Sequence, residues 1–184
     1  MLNTFLWAIA AILALGIVVV LVLAAMKPDS FRVQRSLAIN APPERVFPLI
    51  NGFRSWGAWS PWEKKDPAMK RSFSGAESGI GAVYAWDGDK NVGQGRMEIV
   101  EASAPRRIGL KLDFIKPFEA HNEVTFALEP REAATEVTWT EVTWTMTGPA
   151  PFLARIMHVF FNVDRMVGSD FETGLANLKV AAER

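Results

Sequence analysis

The pattern of the chain begins with an interruption of polarity. Between Leu2 and Met26 no residue is charged, only Asn3 and Thr4 are polar, and almost all the rest are Ala, Ile, Leu, Val, Phe or Trp. A helix over residues 2–26 rises about 1.5 Å per residue and spans roughly 37 Å, against a hydrocarbon core of about 30 Å. The stretch therefore predicts one transmembrane helix with some tilt. A cleaved secretory signal is the competing reading. It calls for a basic leader, a shorter apolar core and a small-residue cleavage site, and only the last has a counterpart here, at Ala24 and Ala25. This places an anchor at residues 1–27 and a soluble domain at 28–184.

Beyond the break at Lys27-Pro28-Asp29-Ser30 the period changes to two. Phe31, Val33, Arg35, Leu37 and Ile39 share one face of a predicted strand, which Pro42-Pro43 ends. Pro43 suits a first helical turn and Glu44 complements the helix dipole, so Pro43 to Ile50 predicts a short helix with Val46, Phe47 and Ile50 inward. An aromatic turn follows over Phe53 to Trp62. Strands are then expected near Lys70–Gly75, Ala82–Asp87, Gly93–Glu101, Arg107–Ile115, Ala120–Glu129 and Thr135–Thr147, with Gly, Asp and Pro between them, the mark of an antiparallel meander. The last strand holds a tandem repeat, Glu136-Val-Thr-Trp-Thr140 and Glu141-Val-Thr-Trp-Thr145. Five is odd, so Trp139 and Trp144 fall on opposite faces; the strand is either buried on both sides or bulged near Thr140. After Gly148-Pro149-Ala150-Pro151, apolar residues recur at threes and fours from Ile156 to Leu178. They predict one long amphipathic helix to about Ala182, bent near Gly168. The arrangement that buries every apolar face is an α+β domain, a curved antiparallel sheet gripping the long C-terminal helix with a cavity between them.

Four segments in this order carry a resemblance: Ile39-Asn-Ala-Pro-Pro-Glu-Arg-Val-Phe47; Trp56-Gly-Ala-Trp-Ser-Pro-Trp62 with Asp66-Pro67; Val142-Thr-Trp-Thr-Met-Thr-Gly148; and Gly168-Ser-Asp-Phe-Glu-Thr-Gly-Leu-Ala-Asn-Leu178. Over about Phe31 to Glu183 the chain resembles the START-related helix-grip superfamily (SRPBCC) and, within it, the polyketide cyclase/dehydrase and lipid-transport family. The resemblance implies the helix-grip architecture and a hydrophobic ligand, and it fixes no reaction. The apolar N-terminal segment and the doubled pentapeptide depart from the family pattern.

Charge and composition then narrow the function classes. Twenty basic residues balance twenty acidic ones, leaving no net field to recruit nucleic acid. Lys27, Arg32 and Arg35 follow the apolar helix against Asp29 alone, so the positive-inside rule places the domain in the cytoplasm. With no cysteine and two histidines, the sequence offers no Cys- or His-rich metal site, and no Gly-rich phosphate loop or serine-type triad is recognisable. His121 and Glu123 share a strand face, but Val124, Phe126 and Leu128 look like the core side, which sends the pair to solvent. His158 borders the helical stripe as a flank or core histidine, and Arg96 with Glu98 reads as an outward ion pair.

The candidate ligand-binding residues are Trp56, Trp59, Trp62, Trp86, Met97, Phe126, Trp144, Met157, Phe160 and Asp164; no catalytic, metal or cofactor residue is assigned. The three tryptophans at steps of three form either a rim over a cavity mouth or plugs of the core. On the long helix, Met157, Phe160, Phe161, Asp164 and Phe171 are expected to close the pocket against the sheet. The function expected is a membrane-anchored domain that binds or transports a small lipid-like or aromatic molecule. The alternatives are a cyclase/dehydratase-like enzyme and a ligand-free, membrane-tethered interaction module.

Overall fold

The computed structural model describes residues 2–132 and 138–184. Helix α1 (Leu2–Ala25) comes first and is long and apolar enough to cross a membrane. Then follow β1 (Ser30–Ile39), α2 (Pro43–Asn51), a 3-10 turn (Phe53–Ala58), α3 (Trp62–Lys65), β2 (Lys70–Gly75), β3 (Ala82–Asp87), β4 (Gln94–Ser103) and β5 (Arg107–Lys116). The chain finishes with β6 (Ala120–Glu132), β7 (Thr138–Pro149), α4 (Phe152–Phe160) and α5 (Val163–Ala182). The strands make one antiparallel sheet in the order β1-β7-β6-β5-β4-β3-β2. Strands β2 to β7 are a meander, and β1 returns to pair with β7.

Strict alternation decides which face of the sheet is concave. Tyr84 and Trp86 on β3, Met97 and Ile99 on β4, Leu110 and Leu112 on β5, Val124 and Phe126 on β6, and Val142 and Trp144 on β7 are all buried. Each such side chain contributes roughly 1.5–3 kcal/mol by leaving water. Helix α5 fills the concavity with Phe171, Leu175, Leu178 and Ala182, one side of the helix at steps of three and four. It also meets a charge: Arg35 projects from the inner face of β1, and its Nε donates to Glu172 Oε1 at 2.6 Å. Its Nη1 donates to Asp164 Oδ1 at 3.0 Å and its Nη2 to the Asp164 carbonyl at 3.0 Å. These bonds, that to Asp164 foremost, raise the guanidinium pKa further, and Arg35 holds the Asp164 carboxyl below its ordinary range. Gly168 gives the guanidinium room, since a Cβ there would lie 2.0 Å from Arg35 Nη2.

The C-terminal helix differs from expectation. It is two helices, broken at Phe161-Asn162, and α5 runs through Gly168 without interruption. Asn162 starts α5 as an N-cap, its side chain accepting the Arg165 N–H at 2.9 Å. The repeat is also resolved differently. Glu136 and Val137, with the expected strand start at Thr135, lie outside the described residues. From Thr138 onward β7 pairs with β6 with no register shift at Thr140, so there is no bulge there. Thr140, Val142, Trp144 and Met146 are buried inward, and Trp139 sits half-buried on the outer face, so two-sided burial does not hold either.

The packing of Trp144 makes one glycine irreplaceable. An exposed mid-helix Gly→Ala change ordinarily stabilises by about 1 kcal/mol. At Gly174 the added Cβ would lie 2.8 Å from Trp144 Cζ3 and 3.2 Å from Pro61 Cδ. Overpacking of this kind costs about 1–3 kcal/mol. Thermal unfolding of Gly174→Ala, followed by tryptophan fluorescence, is therefore expected at a lower temperature than for the parent chain; a rise would show that Trp144 has slack.

Candidate functional site

The inner wall of the sheet is not filled along its whole length. Lining begins at one level across the strands: Leu112 but not Leu110 on β5, Val124 but not Phe126 on β6, and Trp144 and Met146 but not Val142 on β7. Beyond that level lies a cavity of about 190 Å³, bounded on the other side by Val167, Asp170 and Phe171 of α5. Trp56 and Trp62 close it from the aromatic turn, and Trp86, Met97 and Phe114 from the far strands. Gly95 permits this shape, because a Cβ there would meet the Trp86 ring at 2.4 Å. The walls are aromatic and apolar, with Glu63, Tyr84, Ser60, Asn91 and Asp170 as polar elements.

Trp144 and Phe171 stack with centroids 4.1 Å apart and planes 8° from parallel. Trp59 packs edge-on against Trp144 at 5.6 Å and against Phe126 at 6.0 Å. In the aromatic turn, Trp56 donates its indole N–H to the Ile50 carbonyl at 2.9 Å and Trp59 to the Leu49 carbonyl at 2.8 Å. These bonds hang the 3-10 turn on the end of α2. The Trp144 indole N–H is buried with no acceptor among the described residues. At the mouth, Lys65 reaches across to Asp170 of α5 at 2.7 Å and lies 5.8 Å from the Trp62 ring centroid.

The polar end of the cavity is organised by Glu63. Tyr84 donates its hydroxyl to Glu63 Oε1 at 2.5 Å, and Arg71 Nε donates to Oε2 at 2.6 Å. Burial, and then the bond to the Glu63 carboxylate, push the Tyr84 phenol far above its ordinary pKa. Each carboxylate oxygen of Glu63 thus accepts a hydrogen bond from a side chain of a different strand.

Of the residues expected from the sequence to bind ligand, Trp56, Trp62, Trp86, Met97 and Trp144 line the cavity. Trp59 and Phe126 are fully buried behind the wall and act as packing. The rim and plug readings of the tryptophans therefore divide: Trp59 plugs, while Trp56 and half-buried Trp62 face the space. Met157, Phe160 and Asp164 stand apart from the cavity. The break at Phe161-Asn162 carries α4 over to α1, so Met157 and Phe160 are exposed, and Asp164 is engaged with Arg35. Phe160 and Asp164 border a separate open depression of about 540 Å³ with Lys27, Arg32 and His158.

His121 lies on the outer face, its Nδ1 2.7 Å from Asp113 Oδ1, and that bond raises its pKa. Burial lowers that of His158, whose ring packs edge-on to Phe31. Arg96 pairs with Glu98 on the outer face at 2.7 Å. No metal-binding cluster of His, Cys, Asp or Glu is found among the described residues.

The sequence reading missed Glu63, Tyr84, Met69, Leu112 and Val124. The alternation that makes Trp86 inward also makes Tyr84 inward, so that signal was present. The fold of Glu63 back onto the sheet had none.

A family model described as polyketide cyclase / dehydrase and lipid transport matches residues 30–183. No curated protein matches the chain. Among solved structures, a protein from Chromobacterium violaceum is similar at 14% identity and TM-score 0.57, covering 86% of this chain and 99% of its own. One from Staphylococcus epidermidis gives 18% identity and TM-score 0.55, with 85% and 91% covered. The Aha1 dimer from Colwellia psychrerythraea gives 14% and 0.51, with 83% and 96% covered. At these identities the likeness is one of fold.

Tyr84 is the single tyrosine of the chain, so its ionisation can be followed alone. A free phenol ionises near pH 10. The folded chain is expected to show no phenolate absorbance at about pH 10 to 11, because its folded pKa lies above the unfolded one. The contribution to stability is therefore full below about pH 10 and is lost as pH rises toward the folded value. Glu63→Gln should bring the onset down while burial keeps it above that of a free phenol. A phenolate band near pH 10 in the folded chain would contradict the assignment.

Proposed function

Because the chain belongs to the polyketide cyclase/dehydrase and lipid transport family, we propose that residues 28–184 bind a small apolar molecule between sheet and α5, beside a membrane entered by residues 1–27. The observation that carries this reading is the cavity of about 190 Å³ with tryptophan, phenylalanine and methionine walls. Its size selects the ligand. Drug-sized ligands occupy roughly 300–1,000 Å³, whereas a cavity of about 150 Å³ holds benzene. The cavity suits a single ring or a short branched chain, and a whole diacyl lipid does not fit.

Affinity follows from the same size. A ring that buries about 200 Å² gains about 5 kcal/mol at 25 cal/mol per Å², before the costs of association. Binding is then weak, and a ligand dissolved in bilayer needs a binder held beside it at high effective concentration. The apolar helix α1 supplies that tether, and the cations after it set the domain on the cytoplasmic side. The family name and Glu63 at the cavity wall favour a second reading, proton transfer on a bound substrate; the engagement of its carboxylate with Arg71 and Tyr84 as a fixed structural unit weighs against it.

Native mass spectrometry of the full chain, released from mild detergent, tests the proposal. The parent chain should carry a small apolar adduct that solvent extraction removes. Met97→Trp, which fills the cavity, should lose it, and Phe160→Ala, outside the cavity, should keep it. A parent chain that is consistently empty and takes up no apolar fluorescent probe would instead favour the interaction module.

A further inference from the structure

Helix α4 carries apolar residues on a side where no described part of the chain covers them. Leu153, Met157 and Phe160, spaced i, i+4 and i+7 on one face, are 68%, 46% and 64% exposed, and Phe161 beyond them is 50% exposed. Scattered exposed apolar residues need no explanation, but a continuous stripe on a helix of 9 residues is a contact surface.

The position of α4 says what it touches. It packs against α1, and Ala24 in the last turn of α1 is fully buried, so the domain itself covers the foot of that helix. At about 1.5 Å per residue, the 24 residues of α1 span roughly 36 Å, some 6 Å more than a hydrocarbon core of about 30 Å. With little tilt the surplus leaves the hydrocarbon, and burial of Ala24 by the domain puts it at the last turn of α1, with α4 beside it at the headgroup level. The charges there have the matching sign. Arg155 of α4 donates to the Lys27 carbonyl at 3.4 Å and lies 5.3 Å from the Phe152 ring centroid, while Lys27 stands just past the end of α1, after Met26. Cations flanking an apolar stripe are the composition of a helix that lies in the plane of an interface.

We propose that α4 is such an interfacial helix, seated on the phospholipid bilayer that α1 spans. Leu153, Met157, Phe160 and Phe161 enter the boundary between headgroups and acyl chains, and Lys27 and Arg155 stand level with the lipid phosphates. This rests on the membrane reading of α1 given above and adds a second point of attachment. One helix alone leaves the domain free to swivel; two contacts fix its attitude to the surface. Met157 and Phe160, which do not reach the cavity, thereby acquire a role.

The chain has no cysteine, so single probes can be placed in the full protein. Met157→Cys, Leu13→Cys within α1 and Lys111→Cys on the outer face of β5 would each be labelled with an environment-sensitive fluorophore. The labelled chains are reconstituted in phosphatidylcholine/phosphatidylglycerol vesicles carrying nitroxides at shallow or deep acyl positions. The expected result is blue-shifted emission at 157 that is lost to shallow nitroxides, loss at 13 to deep ones, and no change at 111. Quenching at 13 with a water-like, unquenched label at 157 overturns the interfacial helix and leaves the anchor standing. A label at 157 that is shielded from water but untouched by nitroxides overturns it in favour of a second copy of the chain covering the stripe. No quenching at 13 removes the membrane reading and the proposal together.

Discussion

Trp144 and Phe171 lie face to face, 4.1 Å apart, and this contact joins the sheet to α5. A stack this flat needs both rings held from the side. Trp59 and Trp62 press on the indole edge-on, and Gly174 takes its six-membered ring against the helix backbone. Asn177 adds a hydrogen bond from α5 to the Trp59 carbonyl at 3.1 Å. On one side of the stack the concavity is packed solid by Phe126, Leu128 and Leu175. On the other side it is open, and the cavity begins there. Core and site are two sides of one partition, which is why the residues that shape the cavity are also residues that hold the fold.

Polar groups then fix what the apolar contacts leave free. Close packing sets the distance of α5 from the sheet, and the seat of Trp144 against Gly174 fixes one point of its register. Arg35 adds a second fixed point by gripping Asp164 and Glu172, more than a turn of α5 apart, from a single position on β1. Exposed ion pairs contribute little to stability; the value of this one lies in direction, since it sets where Val167, Asp170 and Phe171 stand over the cavity. Glu63 does the same for the other wall, bringing Arg71 and Tyr84 of neighbouring strands to one carboxylate.

The alternating strands, the helix opening at Pro43 and the long C-terminal helical region were legible because each rests on a local period. The break at Phe161-Asn162 was not, since Ile156, Val159, Phe160, Val163 and Val167 keep helical spacing straight through it. The counter-signal was Asn162 with Asp164 two residues on, a helix start placed inside an apolar run. That one break accounts for the misplacement of Met157 and Phe160, while Asp164 is drawn to Arg35. The odd spacing of the doubled pentapeptide puts Trp139 and Trp144 on opposite faces, but that Trp144 takes the core side with neither bulge nor two-sided burial depends on pairing with β6, a long-range fact that no local pattern contains. Arg35 shows the converse: alternation put it on the inner face, and only the fold supplied the carboxylates that make a charge there tolerable.

Pairing of β1 with β7 also orders events in time. Strand β1 is made before the other strands of the sheet, yet its neighbour there is a strand made some hundred residues later. Loop-closure entropy grows only slowly with separation, but contacts so distant in sequence form late and make folding slow. Until they form, β1 presents an unpaired edge open to wrong pairing. The meander can grow hairpin by hairpin as it emerges, while the segment that follows α1 stays unclaimed. Of the seven strands of this sheet, the first to leave the ribosome is among the last to find its place.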